Sequence, residues 1–362
     1  MEPLPYDPYV TAGRRLPGVL LALALLLVAG VLVAGVVSLS AGRPLIWQGG
    51  LTGGEGGETQ QAEGVSELNY PAEVLRTIQQ PSGDTWLMPA SAVPVEGATF
   101  VLDTGNDRLL ELGPDGRVAA AIGGASTKGL ELQQPMALNS DGRRLFIANS
   151  AASEVVVLDL SGAVEKVIRL EPLAAGEDAP RPIGVAVTLE GGIAVSDAAN
   201  HRVLVLDGEG KLVRAVGAGR RASGSDGFNV PGALTVDGAG NIYVVDTLNG
   251  RVVKISPDGR FLAQFGEPGQ TAGTLSRPKG VAVDDGGRVF VSDGLLAAVE
   301  VFAPDGTYLG VIGRKTPENP ALGSMFEAPA GLWLTGDTLY VADRFAGLIV
   351  LKLPGPPQAA AE

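Results

Sequence analysis

Cysteine is absent from this chain of 362 residues, and histidine occurs once, as His201. The lack of cysteine excludes disulfides, thiolate nucleophiles and thiolate metal sites. A single histidine cannot build a zinc site that needs several of them. Positive charge is also scarce, because 27 lysines and arginines stand against 40 acidic residues and leave a formal net charge of −13. An acidic chain of this kind is poorly suited to phosphate backbones, so we predict no nucleic-acid partner.

One long apolar run stands near the beginning of the chain. Residues 16–39 read "LPGVLLALALLLVAGVLVAGVVSL" and contain no charge. A helix of that length reaches about 36 Å, enough to cross a membrane. Two arginines precede the run, so we predict a cytoplasmic stub at residues 1–15, a single-pass transmembrane helix at 16–40, and the rest of the chain outside the cell membrane. A cleaved signal peptide is the alternative, since "VSLSAG" at residues 37–42 resembles a cleavage site.

The remainder of the chain is dominated by a repeat of about 47 residues. A segment rich in Gly, Gln and Glu at residues 41–70 is predicted to be a flexible linker, and residues 355–362 a disordered tail. Between the linker and the tail, each repeat begins with a proline and an apolar strand, as in "PIGVAV". A second strand that ends in Asp, as in "IYVVD", comes next, and two further strands follow it. Four short strands joined by tight turns at this period are typical of a propeller blade. The opening prolines are Pro89, Pro135, Pro182, Pro231, Pro278 and Pro329.

Six such repeats predict an all-β, six-bladed β-propeller over residues 71–354. The last repeat supplies only three strands, whereas residues 72–83 look like a fourth strand without a repeat of its own. Pairing this strand with the three-stranded last repeat would close the ring and leave no open end. An open β-solenoid or a row of sandwich domains would leave both unpaired, so we predict closure between the two ends of the ring.

The repeat "PxGVAVD...GxxYVxDxxNxRVxxxxPDGxxxxxFG" resembles the NHL repeat over residues 72–353. The resemblance implies a binding or scaffold module of the type displayed outside some bacterial cells. Some similar propellers are enzymes: amidating lyases hold zinc through several histidines, and gluconolactonase-like rings hold a divalent metal in the central channel through Glu, Asn and Asp. The innermost strands here are apolar, and their two unusual residues, Asn139 and Trp333, are predicted to pack or to line the channel rather than to bind a metal. We therefore predict no catalytic residue, metal site or cofactor.

Asp, Asn and Arg recur around the loop between the second and third strands of a repeat. Asp ends one strand and Arg opens the next, so the two face each other as a cross-strand pair, and Asn suits the turn between them. The repeat at Pro135 lacks the Asp and the Arg, and the last two repeats are incomplete, so binding is expected to differ there. The predicted hairpin clasps are Asp103, Asn106 and Arg108, then Asp197, Asn200 and Arg202, then Asp246, Asn249 and Arg251.

The loops that join one repeat to the next are long and varied, and they share one face of the predicted ring with these hairpins. Variable loops on a rigid scaffold mark the face that binds a partner. We predict a protein or peptide partner, with cell-wall polysaccharide as a weaker option supported only by Trp86 and the loop phenylalanines. The alternative function is a metal-assisted hydrolase or lyase with its site in the central channel. The predicted contact residues are Arg220, Arg221, Phe228, Arg314, Lys315, Phe326 and Arg344.

Overall fold

The computed structural model describes residues 69–79, 85–124, 130–314 and 325–355, and these form six four-stranded antiparallel sheets. The predicted all-β, six-bladed propeller is therefore confirmed. Each of the six opening prolines begins an innermost strand. Proline is tolerated there because a strand's first residue can lack a backbone donor.

The strands are numbered in chain order and grouped by blade. Blade 1 contains β2 (Pro89–Val95), β3 (Ala98–Asp103), β4 (Arg108–Leu112) and β5 (Val118–Gly123); blade 2 contains β6 (Pro135–Ser140), β7 (Arg144–Asn149), β8 (Glu154–Asp159) and β9 (Val164–Arg169); blade 3 contains β10 (Pro182–Val187), β11 (Ile193–Asp197), β12 (Arg202–Leu206) and β13 (Leu212–Val216). Blade 4 contains β14 (Pro231–Val236), β15 (Ile242–Asp246), β16 (Arg251–Ile255) and β17 (Phe261–Phe265); blade 5 contains β18 (Pro278–Val283), β19 (Val289–Asp293), β20 (Ala298–Phe302) and β21 (Tyr308–Ile312); blade 6 contains β22 (Pro329–Thr335), β23 (Thr338–Asp343), β24 (Gly347–Lys352) and β1 (Glu73–Ile78). Short 3₁₀ turns lie at Thr104–Asn106, Ser150–Ala152 and Thr247–Asn249.

Blade 6 joins the two ends of the ring. Strand β1 pairs antiparallel with β24, with Glu73 opposite Lys352 and Ile78 opposite Leu348. The predicted closure is confirmed, and it supplies the outer strand that the last repeat lacks. Strand β24 is thereby paired on both sides, with β23 and with β1, which protects it from pairing with another chain.

Neighbouring blades are held together by apolar side chains between them. The buried residues divide into six clusters, each shared by two adjacent blades. The innermost strands also approach closely: a Cβ at Gly184 would lie 2.6 Å from the carbonyl oxygen of Gly232 in the next blade. Glycine is needed at this position because a side chain would push the two strands apart.

Both ends of the described chain are fastened to blade 5. The Tyr70 N–H donates to the Val311 carbonyl at 2.8 Å, and the buried Arg288 guanidinium donates to the Tyr70 hydroxyl. Arg288 also donates to the Pro354 carbonyl at 3.0 Å and pairs with Asp284 at 2.5 Å. Ring contacts thus begin before the predicted linker boundary at residue 71.

The predicted stub, transmembrane helix and most of the linker lie outside the described residues. Within residues 69–79, 85–124, 130–314 and 325–355, no helix has the length and apolar character needed to span a membrane. The membrane anchor and the placement of the ring outside the cell stay predictions.

Candidate functional site

The hairpins between second and third strands share one face of the ring with the loops that connect successive blades, and this is called the long-loop face. In blade 3, Asp197 Oδ2 accepts from Arg202 Nε at 3.1 Å and from Asn200 Nδ2 at 2.9 Å. Asp197 Oδ1 accepts the N–H of Arg181, which precedes the opening proline of the same blade. The carboxylate therefore joins its own hairpin to the end of the incoming loop.

The other two predicted clasps have the same contacts. Asp103 accepts from Arg108 Nε at 2.8 Å, and Asp246 accepts from Arg251 Nε at 2.9 Å. Arg251 also donates to the carbonyl oxygens of Gly224 and Gly227, at 2.9 and 3.1 Å, in the incoming loop. These guanidinium groups hold the long loops as well as the hairpins, whereas the repeat pattern indicated only the cross-strand pair.

Blade 2 keeps this arrangement with different residues. Asn149 replaces the aspartate, and its Oδ1 accepts the N–H of Gln133 at 2.6 Å while its Nδ2 donates to Glu154 Oε1 at 2.8 Å. An amide paired with a carboxylate thus replaces a carboxylate paired with a guanidinium. The clasp in the repeat at Pro135 is altered rather than lost.

Blades 5 and 6 keep the aspartate without an arginine. Asp293 accepts four backbone N–H groups, from Ser276 and Arg277 on one oxygen and from Leu295 and Leu296 on the other. Asp343 in blade 6 is bonded in the same way. These two carboxylates are satisfied by the backbone alone.

The predicted contact residues are placed in three different environments. Arg220 and Arg221 are exposed, and Arg314 is half-buried with its guanidinium donating to the Gln270 carbonyl at 3.2 Å. Lys315 lies outside the described residues. Arg344 lines the central channel. None of these positions tests the predicted protein partner, which stays a prediction.

The aromatic residues expected on the long-loop face are core residues instead. Phe228 and Phe326 are fully buried in the clusters between blades 3 and 4 and between blades 5 and 6. Trp86 is buried between blades 6 and 1. The prediction of Phe228 and Phe326 as contact residues was therefore wrong, because the loops fold back and large side chains fill the gaps between blades. No aromatic platform for a polysaccharide is formed by these three residues.

A cavity of about 320 Å³ runs along the innermost strands, as expected at the centre of a propeller. Asn139 and Trp333 line it, which agrees with their prediction as channel-lining or packing residues. Asn139 Oδ1 accepts the N–H of Val187 at 3.3 Å. Most of the remaining lining is backbone and small or aliphatic side chains.

The channel opens on the long-loop face, and we call this opening the channel mouth. Two cations lie at the channel mouth. Lys279 is the second residue of β18, and Arg344 directly follows β23, so both belong to the positions closest to that face. Burial, together with the charges of Arg344 and Arg277, lowers the pKa of Lys279 from 10.5 to about 8, and the nearby Asp293 carboxylate opposes only part of this shift. Burial, with the charge of Arg277, also lowers the pKa of Arg344.

Lys279 is not among the predicted contact residues, although the sequence carries a signal for it. The residue after the opening proline is Ala90, Met136, Ile183, Gly232 or Ala330 in the other five blades, and lysine occurs at this position only in blade 5. A repeat-by-repeat comparison of this one column would have separated Lys279 from its uncharged equivalents.

No metal-binding cluster accompanies the cations. Across the four described ranges, no group of three or more His, Cys, Asp or Glu side chains is arranged to hold a metal ion. His201 lies in the blade 3 hairpin, where its Nδ1 accepts the N–H of Val230 at 3.0 Å, and it is not among the channel-lining residues.

No family model matches the chain, so membership of the NHL family stays a prediction. Several solved structures share its fold at low sequence identity. A gluconolactonase from Xanthomonas campestris aligns with a TM-score of 0.58 and 19% identity, covering 80% of this chain and 97% of that one. A catalytically inactive virginiamycin B lyase from Staphylococcus aureus, with quinupristin, aligns with a TM-score of 0.55 and 16% identity, covering 77% and 99%. A protein of unknown function from Bacteroides thetaiotaomicron aligns with a TM-score of 0.56 and 15% identity, covering 79% and 73%. These likenesses show the fold alone.

Proposed function

We propose that the channel mouth binds a small anionic molecule through Lys279 and Arg344. The observation that carries this proposal is that two half-buried cations share this opening and that neither is paired with a carboxylate. Across the described residues, neither side chain forms a hydrogen bond or an ion pair, and the nearby Asp293 carboxylate is occupied by four backbone N–H groups. Two like charges held close together in a partly buried site favour an anion that neutralises them.

The size and chemistry of the channel also suit a small ligand. A volume of about 320 Å³ lies at the lower end of the range for small-molecule pockets. The charged side chains among the channel-lining residues, Lys279 and Arg344, both lie at the mouth, whereas the polar side chains further along, such as Asn139 and Thr235, are neutral. A charged group on a ligand is therefore favoured at this one end, which fixes the orientation of the ligand.

This proposal can be tested by titrating the full-length protein with acetate at pH 7 and at pH 9.5. The wild type should bind acetate at pH 7, and Lys279→Met or Arg344→Met should weaken binding about tenfold or more, because a charge-assisted hydrogen bond is lost. Binding should also weaken at pH 9.5, where Lys279 is largely neutral. Lys211→Met, at an exposed lysine outside the channel lining, is the matched control. Equal affinity in all variants and at both pH values would contradict the proposal.

Catalysis at the same mouth is the second candidate function. The fold neighbours include a lyase and a gluconolactonase, and a lysine with a pKa of about 8 is suited to accept a proton near neutral pH. In this version Lys279 acts as the general base and Arg344 stabilises developing negative charge. Because the described residues form no metal-binding cluster, the proposed chemistry rests on these side chains rather than on a metal-assisted step.

The catalytic candidate predicts a defined pattern with gluconolactone and quinupristin as test substrates. Turnover should survive a chelator, rise with pH around 8, and fall at least 100-fold in Lys279→Met. Turnover that a chelator abolishes, or that Lys279→Met leaves unchanged, would rule out this assignment.

A further inference from the structure

The hairpin tips around the channel mouth differ sharply between the two halves of the ring. The second residue of each hairpin is Gly105, Ala151 or Ala199 in blades 1 to 3. In blades 4, 5 and 6 it is Leu248, Leu295 or Phe345, and these side chains are 61%, 57% and 63% exposed. We call these three residues the apolar crescent. Three consecutive blades thus present a large exposed apolar side chain at the same hairpin position, and apolar side chains grouped on one part of a surface can mark an interaction site.

The crescent directly adjoins the cations of the mouth. Leu248 and Phe345 each follow a channel-lining residue, Thr247 and Arg344 respectively, so their Cα atoms lie about 3.8 Å apart along the chain. Leu295 follows Gly294, where a Cβ would lie 3.5 Å from the Lys279 side chain. Each crescent residue is therefore the chain neighbour of a residue that lines the channel or lies against Lys279.

The backbone of the crescent is held rigidly. The N–H groups of Leu295 and Phe345 donate to the buried Asp293 and Asp343 carboxylates at 2.9 and 3.0 Å. The N–H of Leu248 donates to the Asn229 carbonyl at 3.1 Å. A ligand that covers these tips therefore does not have to order their backbone, which lowers the entropic cost of binding.

We propose that the ligand of the channel mouth is an amphipathic organic acid, whose carboxylate meets Lys279 and Arg344 and whose apolar body covers the crescent. This inference rests on the proposed anion site and adds the chemistry of the rest of the ligand. The half-buried position of the cations favours a small free acid over a flat protein surface. A net charge of −13 opposes adsorption to an anionic membrane.

A series of straight-chain acids tests the inference on the full-length protein. Acetate, butanoate, hexanoate and octanoate are titrated by calorimetry, with hexanamide as the uncharged comparison. Affinity should rise with chain length, by up to about fourfold for each methylene that becomes buried, and hexanamide should bind at least tenfold more weakly than hexanoate.

Two sets of variants separate this inference from the function beneath it. The triple variant L248S, L295S and F345S should still bind acetate but should lose most of the dependence on chain length. Leu189→Ser, which changes a 66% exposed leucine in a turn of the opposite face, should bind every acid as the wild type does. If the triple variant keeps the full dependence on chain length, the apolar body lies elsewhere and the inference is wrong, while the anion site stands. If K279M binds all four acids as the wild type does, the anion site itself fails.

Discussion

Lys279 should reduce the stability of the protein that contains it. Its pKa falls from 10.5 to about 8 because burial and the neighbouring charges of Arg344 and Arg277 disfavour the protonated form. At about 1.4 kcal/mol per pKa unit, keeping this lysine charged at neutral pH costs about 3 kcal/mol of folding free energy. Lys279→Met keeps a similar volume without the charge, so it should raise the free energy of unfolding at pH 7 by about 2 to 3 kcal/mol.

The pH dependence distinguishes this cause from a packing effect. The folded-state pKa lies below the unfolded value, so the unfolded chain holds the proton more tightly between pH 8 and 10.5, and the wild type gains stability as the pH rises through that window. The methionine variant has no such group. Its advantage over the wild type should therefore be full at pH 7 and nearly gone at pH 10.5, as measured by urea unfolding of both proteins at the two pH values.

Two other lysines serve as controls in the same assay. Lys211 is exposed, and Lys211→Met should change little at either pH. Burial lowers the pKa of Lys254, but its contacts with Tyr243 and Asp237 outweigh burial and raise it overall. Lys254→Met should therefore destabilise the protein at pH 7. A Lys279→Met variant that is no more stable than the wild type at pH 7, or equally favoured at both pH values, would refute the reasoning.

Three further predictions concern the ring itself. Arg251→Met leaves a buried carboxylate without its guanidinium and should lower the free energy of unfolding by about 3 kcal/mol or more in chemical denaturation. Arg260→Met removes one partner of an exposed ion pair and should lower the free energy of unfolding by less than about 1 kcal/mol. Gly184→Ala forces a methyl group against the next blade and should lower the melting temperature clearly; no change would show that the strands can separate at that point. Burial and a nearby arginine lower the pKa of His201 below 6.5, so the protein should lose stability as the pH falls from above 6.5. His201→Asn keeps an acceptor for the Val230 N–H and should flatten this dependence in melting curves taken from pH 8 to 5.

The propeller could be predicted from the sequence because every blade carries the same local information. Proline, the apolar strand, the turn and the Asp–Arg hairpin recur at one period, so six independent copies support one interpretation. The closure of the ring was also accessible, since an unpaired fourth strand and a three-stranded last repeat complete each other. Long-range strand pairing had to be inferred only at the closure, because the other five sheets consist of strands that are consecutive in the chain.

The channel mouth was harder to predict because its parts lie in different repeats. Arg344 was assigned to the long-loop face from its hairpin, but nothing local to it points to Lys279 in the preceding blade. The two meet only when adjacent blades pack side by side. The prediction for Phe228 and Phe326 failed for a related reason, because the composition of their loops is typical of solvated segments. The gaps between blades need large side chains, and the loop backbone folds back to supply them, as the 3.0 Å bond from the Ala222 N–H to the Phe228 carbonyl shows.

Blades 5 and 6 depart from the repeat in several ways at once, and the proposed ligand site at the channel mouth would account for all of these departures. Both lack the arginine of the clasp, both place a large apolar residue at the hairpin tip, and together they supply the two channel cations. Each change alone is unfavourable or neutral for stability, since an unpaired buried cation costs energy and an exposed phenylalanine gains none. Local rules are expected to fail together where a site demands it. In these two blades the aspartate binds only backbone N–H groups, so the hairpin keeps its shape without a guanidinium, and the side chains around the mouth are free to serve a ligand.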